Sequence, residues 1–429
     1  MHPLLALPYA AAGALANVGA HLPLPGDGKL VRTLRARRGV MDRFASWAAA
    51  GRDPARPLLW MHAPSVGEGL QARPVLQCLR ARHPGWQVLY THFSPSAERF
   101  AGSVEADHAD YLPFDTAGAA ERLLDLLRPA AIVVAKLDLW PILTERAHRR
   151  GVPVGMIAAT LAAGSGRQGP LARALLGSAY SALGAVGAID ARDAERLAAL
   201  GVRPERITVT GDTRYDQVHA RAAAVDRESP LLATLASRRP TLVAGSTWPS
   251  DESRLLKAWP LVRREAPDAR LVIAPHEPTR THTEPLRRWA RAAGLTLAPL
   301  AEADASHDVV LVNRVGVLGE LYALADAAYV GGGFHAAGLH SVLEPAAFGA
   351  PVVFGPRHAN SRDAGLLLAC GGAFASDDVA TLARAIRIVL TEPDTRAHAG
   401  AAARRLVVDG LGASERSAVL VERLVDQQM

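Results

Sequence analysis

Glu68 stands three positions after Ser65 in the stretch HAPSVGEG, where an apolar run gives way to a helical pattern. Ser65 and Glu68 have the form of a capping box, and an acid in a first helical turn is favoured by the helix dipole. A carboxylate at such a turn, with Ser65 and Gly67 beside it, is also placed to take a proton from an alcohol. Lys136 closes the apolar run AAIVVAK and is one of three lysines among 48 Lys and Arg residues. An ammonium at the end of a buried strand is costly unless it is paired or reaches water. Its partners could be Glu68, Asp138, a sugar carboxylate or a phosphate. The third candidate is GGGFHAAGLHSVLEPAAFGAPVVFGP. Gly332 and Gly333 permit close backbone approach to a ligand. His340 and Glu344, four apart, read as one face of a helix start turned to a nucleotide ribose or phosphate. In AGSTW, Gly245, Ser246 and Thr247 offer amides and hydroxyls to a phosphate or form an ordinary cap. GSGRQG, with Gly164, Gly166, Gly169 and then Asp190, spells a dinucleotide fingerprint. It follows the fifth strand of its series rather than the first, and Pro170 comes directly after its last glycine, so a nicotinamide cofactor is not expected.

Parallel strands joined by crossover helices are needed to hold these groups, and the chain has that pattern. Short apolar runs alternate with longer amphipathic ones from Pro57 to Ala188, and again from TLVAGS to APVVFGP. Two doubly wound units follow, an α/β fold with residues 29–215 in one and 216–429 in the other. The last helix is free to pack on either. Ligands of open parallel sheets bind beyond the carboxyl ends of the strands, so the expected site is a cleft between two such sheets.

With 429 residues, 49% of them apolar, the chain can build both cores. Cys78 and Cys370 lack metal-type spacing, which argues against a zinc site or disulfide framework and fits a reducing compartment. The net charge of +6 is concentrated at Arg32, Arg35, Arg37, Arg38 and Arg43. That patch suits phosphate or an anionic membrane surface rather than nucleic acid. Residues 1–28 form an apolar arm with four prolines, which reads as interfacial at best rather than as a spanning helix.

WMHAPSVGEG, THFSPSAERF, YLPFD, LDLWPIL, VTGDTRYD, AGSTW and HSVLEPAAFGAPVVFGPRHAN occur in the order seen in the 3-deoxy-D-manno-octulosonic acid (Kdo) transferases of lipopolysaccharide synthesis, and the chain resembles that family from about Arg32 to about Phe374. The resemblance implies the GT-B architecture, with two facing Rossmann-like domains. It implies a CMP-Kdo donor, an anionic lipid A precursor as acceptor, inversion at the anomeric carbon, and neither a cofactor nor a catalytic metal. It also implies a location at the cytoplasmic face of the inner membrane, held there by the N-terminal arm. The family's catalytic base falls on Glu68 and its glycine-rich strand end on Gly332 and Gly333. Its nucleotide-binding histidine falls on His340, its ribose-binding glutamate on Glu344, its phosphate loop on Gly245, Ser246 and Thr247, and an asparagine on Asn360. The chain departs from the pattern at Lys136, where the family has glutamate, and at His276, Glu277, Leu339 and Ser341. These changes keep two alternatives open: a paralogue with altered donor or acceptor, and a catalytically silent binding protein.

Overall fold

Apolar runs of five or six residues with no polar alternation must be covered on both faces, and LLWMH, AIVVA and VGMIAA are buried along their whole length. The structure is a computed structural model and describes residues 1–23 and 25–426. It divides into two units, the first comprising 1–217 with 411–426 and the second comprising 218–410.

In the first unit, β1 (Leu58–His62), β2 (Gln87–His92), β3 (His108–Tyr111), β4 (Ala131–Ala135), β5 (Val154–Ala159), β6 (Ala185–Ala188) and β7 (Ile207–Val209) form a parallel sheet in the order β3-β2-β1-β4-β5-β6-β7. The chain winds outward in one direction from β1 and in the other from β4, so the switch point lies between these two strands. Their carboxyl ends carry the Ser65–Glu68 turn and Lys136.

The second unit contains β8 (Thr241–Thr247), β9 (Arg270–Pro275), β10 (Leu297–Pro299), β11 (Val309–Leu311), β12 (Ala327–Val330), β13 (Val352–Phe354) and β14 (Ala373–Ala375), parallel in the order β10-β11-β9-β8-β12-β13-β14. Its switch point, between β8 and β12, brings the Gly245–Thr247 turn beside the glycines after β12.

The second unit ends at Gly410, and the last helix, free in the sequence to pack on either unit, joins the first. The helix Ala413–Asp426 packs on the helix Val66–Arg82 and on β5 and β6, where Ala418, Val421, Leu424 and Val425 join the core of the first sheet. Gly155 and Gly184 leave room for Leu424, since a Cβ there would lie 2.7 and 2.9 Å from its methyl groups. Asp216 ties the segment down by accepting from Gly412 N (2.7 Å) and Ser414 N (2.6 Å).

The basic patch is smaller than its sequence suggests. Arg37 is buried and donates to the carbonyls of Leu112, Thr33 and Phe93, and Arg43 forks onto Asp110 at 2.6 and 2.7 Å. Arg37 serves packing and Arg43, though exposed, has its charge paired with Asp110, which leaves Arg32, Arg35 and Arg38 as the exposed members not bonded to that acid.

The apolar arm is one continuous helix, Pro3–His21, even though Pro8 in its interior costs on the order of 3 kcal/mol. Hydrogen bonds hold it on both sides of that proline, His2 N to Ala174 O at 2.8 Å and Tyr9 OH to Asp115 at 2.9 Å. Leu4, Leu7, Leu15 and Val18 are exposed at helical spacing, and the segment Leu4–His21 is long and apolar enough to cross a membrane.

Candidate functional site

Ser65 caps the helix Val66–Arg82, accepting from Gly67 N at 3.2 Å. The reciprocal half of a capping box is replaced, because Glu68 turns to the serine hydroxyl instead of the cap backbone. Its Oε2 accepts from Ser65 Oγ, and its Oε1 accepts from Lys136 Nζ at 3.3 Å. Lys136 has a left-handed backbone, φ 65°, which costs an L-residue roughly 1–2 kcal/mol. It is anchored by its own N–H to Ile157 O at 2.8 Å. Its side chain is 43% exposed, so the ion pair contributes about 0–1 kcal/mol to stability. That is too little to account for the strain, and the better account is orientation of Glu68.

Asp138 pairs elsewhere. Its Oδ2 accepts from His62 Nε2 and Trp140 Nε1, both at 3.0 Å. Burial works to raise the carboxyl, but these hydrogen bonds outweigh it and hold the pKa below the ordinary aspartate value. Trp60 Nε1 donates to Thr91 Oγ1 at 2.8 Å, and the Thr91 hydroxyl lies 2.9 Å from His62 Nδ1. A carboxylate only accepts, so His62 presents Nε2–H to Asp138, and Nδ1 of the neutral ring accepts from the Thr91 hydroxyl. His62 was missed in the sequence, although it ends a buried strand much as Lys136 does.

In the second unit Asp251 organises the ligand-facing turns. It is fully buried and accepts four hydrogen bonds: Trp248 N at 2.9 Å, Gly332 N at 2.8 Å, Phe334 N at 3.1 Å and Tyr329 OH at 3.0 Å. One carboxylate so fixes both the loop after β8 and the glycine-rich end of β12. Glycine is required there, since a Cβ at Gly331 would lie 2.1 Å from Ser246 O and one at Gly333 2.4 Å from Gly355 N. Ser246 has φ 54°, and Gly245 packs against Tyr322.

The Thr247 hydroxyl is not available to a phosphate, because it donates to Glu252 Oε1 at 2.8 Å. Burial drives the Glu252 carboxyl up to about 7, against the opposing pull of the Thr247 hydrogen bond. The sign of its effect on stability follows. Below pH 4.5 the group is protonated in both folded and unfolded chains; as pH rises to about 7 the unfolded chain ionises first, and about 3 kcal/mol of native stability is lost. Glu252→Gln is therefore expected to stabilise the protein relative to wild type at pH 8 and not at pH 4, as read by calorimetric unfolding at the two values.

His340 does not share a helix face with Glu344. The chain turns at Gly332 and Gly338 (φ 94° and 85°), and the helix Leu343–Ala347 begins only after His340, whose N–H bonds Gly331 O at 3.1 Å. The His340 ring meets the side chains of Trp248 and His276 instead, at centroid distances of 6.3 and 4.6 Å. Burial, and secondarily His276, lowers its pKa. Glu344 lies 3.9 Å from Arg221, and burial raises its carboxyl despite that guanidinium. Asn360 accepts from Leu339 N at 3.3 Å and fills the space beside Gly338, so it braces the loop. Gly245, Ser246, Gly332, Gly333, His276 and His340 therefore converge at one end of the second sheet, while Ser65, Gly67, Glu68, Lys136 and Asp138 do so at the end of the first. Trp248, Asp251 and His335 were not singled out from sequence. The only available signal was Asp251 three residues into a helix after Trp248-Pro249, a common cap position.

The GSGRQG loop enters a short 3₁₀ turn, Gly166–Gln168, after β5, and Asp190 caps the helix Ala191–Ala199 by accepting from Asp193 N at 2.7 Å. Helix capping accounts for the acid that a dinucleotide ribose would need.

Two Rossmann-like units with ligand-type turns at the carboxyl ends of their switch-point strands define an α/β protein of the GT-B type. The solved UDP-GlcNAc 2-epimerase of Neisseria meningitidis bound to UDP-GlcNAc shares the fold, with TM-score 0.60 at 13% identity over 82% of this chain and 99% of that one. Residues 33–217 match the family model described as 3-Deoxy-D-manno-octulosonic-acid transferase (kdotransferase). The 3-deoxy-D-manno-octulosonic acid transferase of Bordetella pertussis is 30% identical over 89% of this chain and 92% of its own length. That of Haemophilus influenzae is 25% identical over 93% and 94%. The chain belongs to the Kdo transferase family and is a glycosyltransferase.

Proposed function

We propose that this enzyme transfers Kdo, or a closely related sugar, from a CMP-activated donor to a hydroxyl of an anionic lipid A precursor, with inversion. The observation that carries this reading is Glu68, held through both oxygens by Ser65 and Lys136 at the carboxyl end of the first switch point. Each carboxylate oxygen retains a lone pair for an acceptor hydroxyl. Glu68 takes the hydroxyl proton as that oxygen bonds to the anomeric carbon; the bond from that carbon to the phosphate oxygen breaks, and CMP leaves with the electron pair. The turns at Gly245–Ser246 and Gly332–Gly333 border the phosphate, with His276 and His340 beside them; the Gly332 amide itself is taken by Asp251, which fixes the turn. Glu344 meets the ribose hydroxyls.

The N-terminal helix, with its exposed leucine stripe and with Arg32, Arg35 and Arg38 following it, suits attachment to the cytoplasmic face of the inner membrane, where the acceptor lipid lies. The test is incubation of the full chain with CMP-Kdo and a lipid A precursor in mixed micelles. Transfer of Kdo is expected, and no transfer above that of Glu68→Ala would rule the assignment out.

The Lys136 ammonium favours a second element of specificity, an acceptor with an anionic group near the reacting hydroxyl. Lys136→Met should raise the acceptor KM about tenfold while leaving CMP affinity unchanged, as measured by initial rates and calorimetry; equal KM values would remove that role.

A further inference from the structure

Trp248 is the turning point between β8 and the helix Pro249–Glu265, and its ring lies between two imidazoles. His335 is stacked on it at 4.1 Å and 3°, and His276 at 4.4 Å and 27°. Three separate loops supply these rings, and a fourth ring, His340, stands beside them. Trp248 Nε1 lies 3.0 Å from His340 Nε2. An indole N–H can only donate, so Nε2 of His340 must offer a lone pair, and the neutral ring must carry its proton on Nδ1. Among the described residues, Nδ1 has no hydrogen-bond partner. The backbone of the same residue is bonded to Gly331, within the glycine-rich strand end.

We infer that Trp248 is a positioning residue that holds His340 as a neutral imidazole with Nδ1–H presented as a donor to an anionic oxygen of the nucleotide-sugar. This rests on the reading of this strand end as the donor site.

The groups facing His340 favour the neutral form. His276 and His335 are both potential cations, and neither they nor His340 lie within ion-pair distance of a carboxylate among the described residues. Asp251, on the helix after Trp248, is the one nearby acid and is engaged by four donors of its own. Arg254, from the same helix, lies over the Phe334 ring. A charged imidazole would need two acceptors, and Trp248 supplies a donor at one of the two nitrogens. A neutral donor on a rigid stack also binds an anion in a manner that varies little with pH, which an ordinary histidine does not.

Trp248→Phe separates this role from simple stacking, because it leaves an aromatic ring between His335 and His276 and removes only the indole N–H. The first measurement needs no ligand: imidazole ¹⁵N spectra of the full-length protein from pH 5 to 8, with His340 assigned through His340→Ala. Wild type is expected to show the Nδ1–H tautomer over most of this range. In Trp248→Phe, Nε2–H should become populated, and the titration should move up toward the ordinary histidine value.

The second measurement is calorimetric titration with CMP. The variant is expected to bind about three- to tenfold more weakly at pH 8, with the gap closing toward pH 6, where the imidazolium donates from both nitrogens. A wild-type His340 that is neutral with its proton on Nε2 would overturn the inference, whether or not the variant folds. So would a loss of CMP affinity in the variant that is equal at pH 6 and pH 8 with the tautomer unchanged. If the tautomer shifts as expected but neither protein binds CMP, the hydrogen-bond lock stands, and the ligand half of the inference falls together with the donor-site reading.

Discussion

Glu68→Gln is expected to lower kcat for Kdo transfer by about a hundredfold to ten-thousandfold, the usual contribution of a general base, with CMP affinity unchanged. The amide keeps the size of the side chain, and its single oxygen can still accept from Lys136 while its NH2 donates to the Ser65 hydroxyl, so what is lost is chiefly proton affinity. CMP should bind as before, because the proposed nucleotide ligands all belong to the second unit, residues 218–410. Single-turnover rates with CMP-Kdo, together with calorimetry of CMP binding, separate the two quantities. A fall of only two- or threefold would move the base to another residue.

The largest expected effect on stability is at Asp251. Asp251→Ala leaves four donors without their acceptor, three of them backbone amides of the two turns around the donor end, where the carboxylate they share is fully buried. An orphaned buried donor costs about 1–3 kcal/mol, and the losses overlap because one cavity is shared, so a loss of about 4 kcal/mol is expected. Asp251→Asn should recover part of it, since Oδ1 can still accept while the NH2 group opposes two former donors. Urea unfolding should show the transition of the second unit moving to lower denaturant. A shift below 1 kcal/mol would mean that these turns are held by other contacts.

The strands were readable because both faces of each sheet are covered, which leaves unbroken apolar runs such as AIVVA. The Glu68 turn was readable because a Ser-x-x-Glu sequence separates two kinds of hydrophobic periodicity. What could not be read depends on partners far away in the chain. Arg37 looks like one more charge in a basic cluster until the carbonyls of Leu112 and Phe93 are brought to it. Asp138 looks like a neighbour of Lys136 but belongs to His62, 76 residues earlier. The spacing of His340 and Glu344 suggested a helix because a four-residue interval carries no information about Gly338, whose left-handed backbone delays the helix start. The ring stack around Trp248 was invisible for the same reason, since its members come from three loops.

The return of the helix Ala413–Asp426 to the first unit bears on how the chain is made. On the ribosome, residues 1–217 emerge well before residues 413–426, so part of one apolar side of their sheet lacks its cover until that helix has been translated. The middle of the polypeptide, residues 218–410, can complete its own core earlier than the part that precedes it, against the usual amino-to-carboxyl order of domain folding. A stop codon just before Ala413 would therefore damage the unit that was synthesised first.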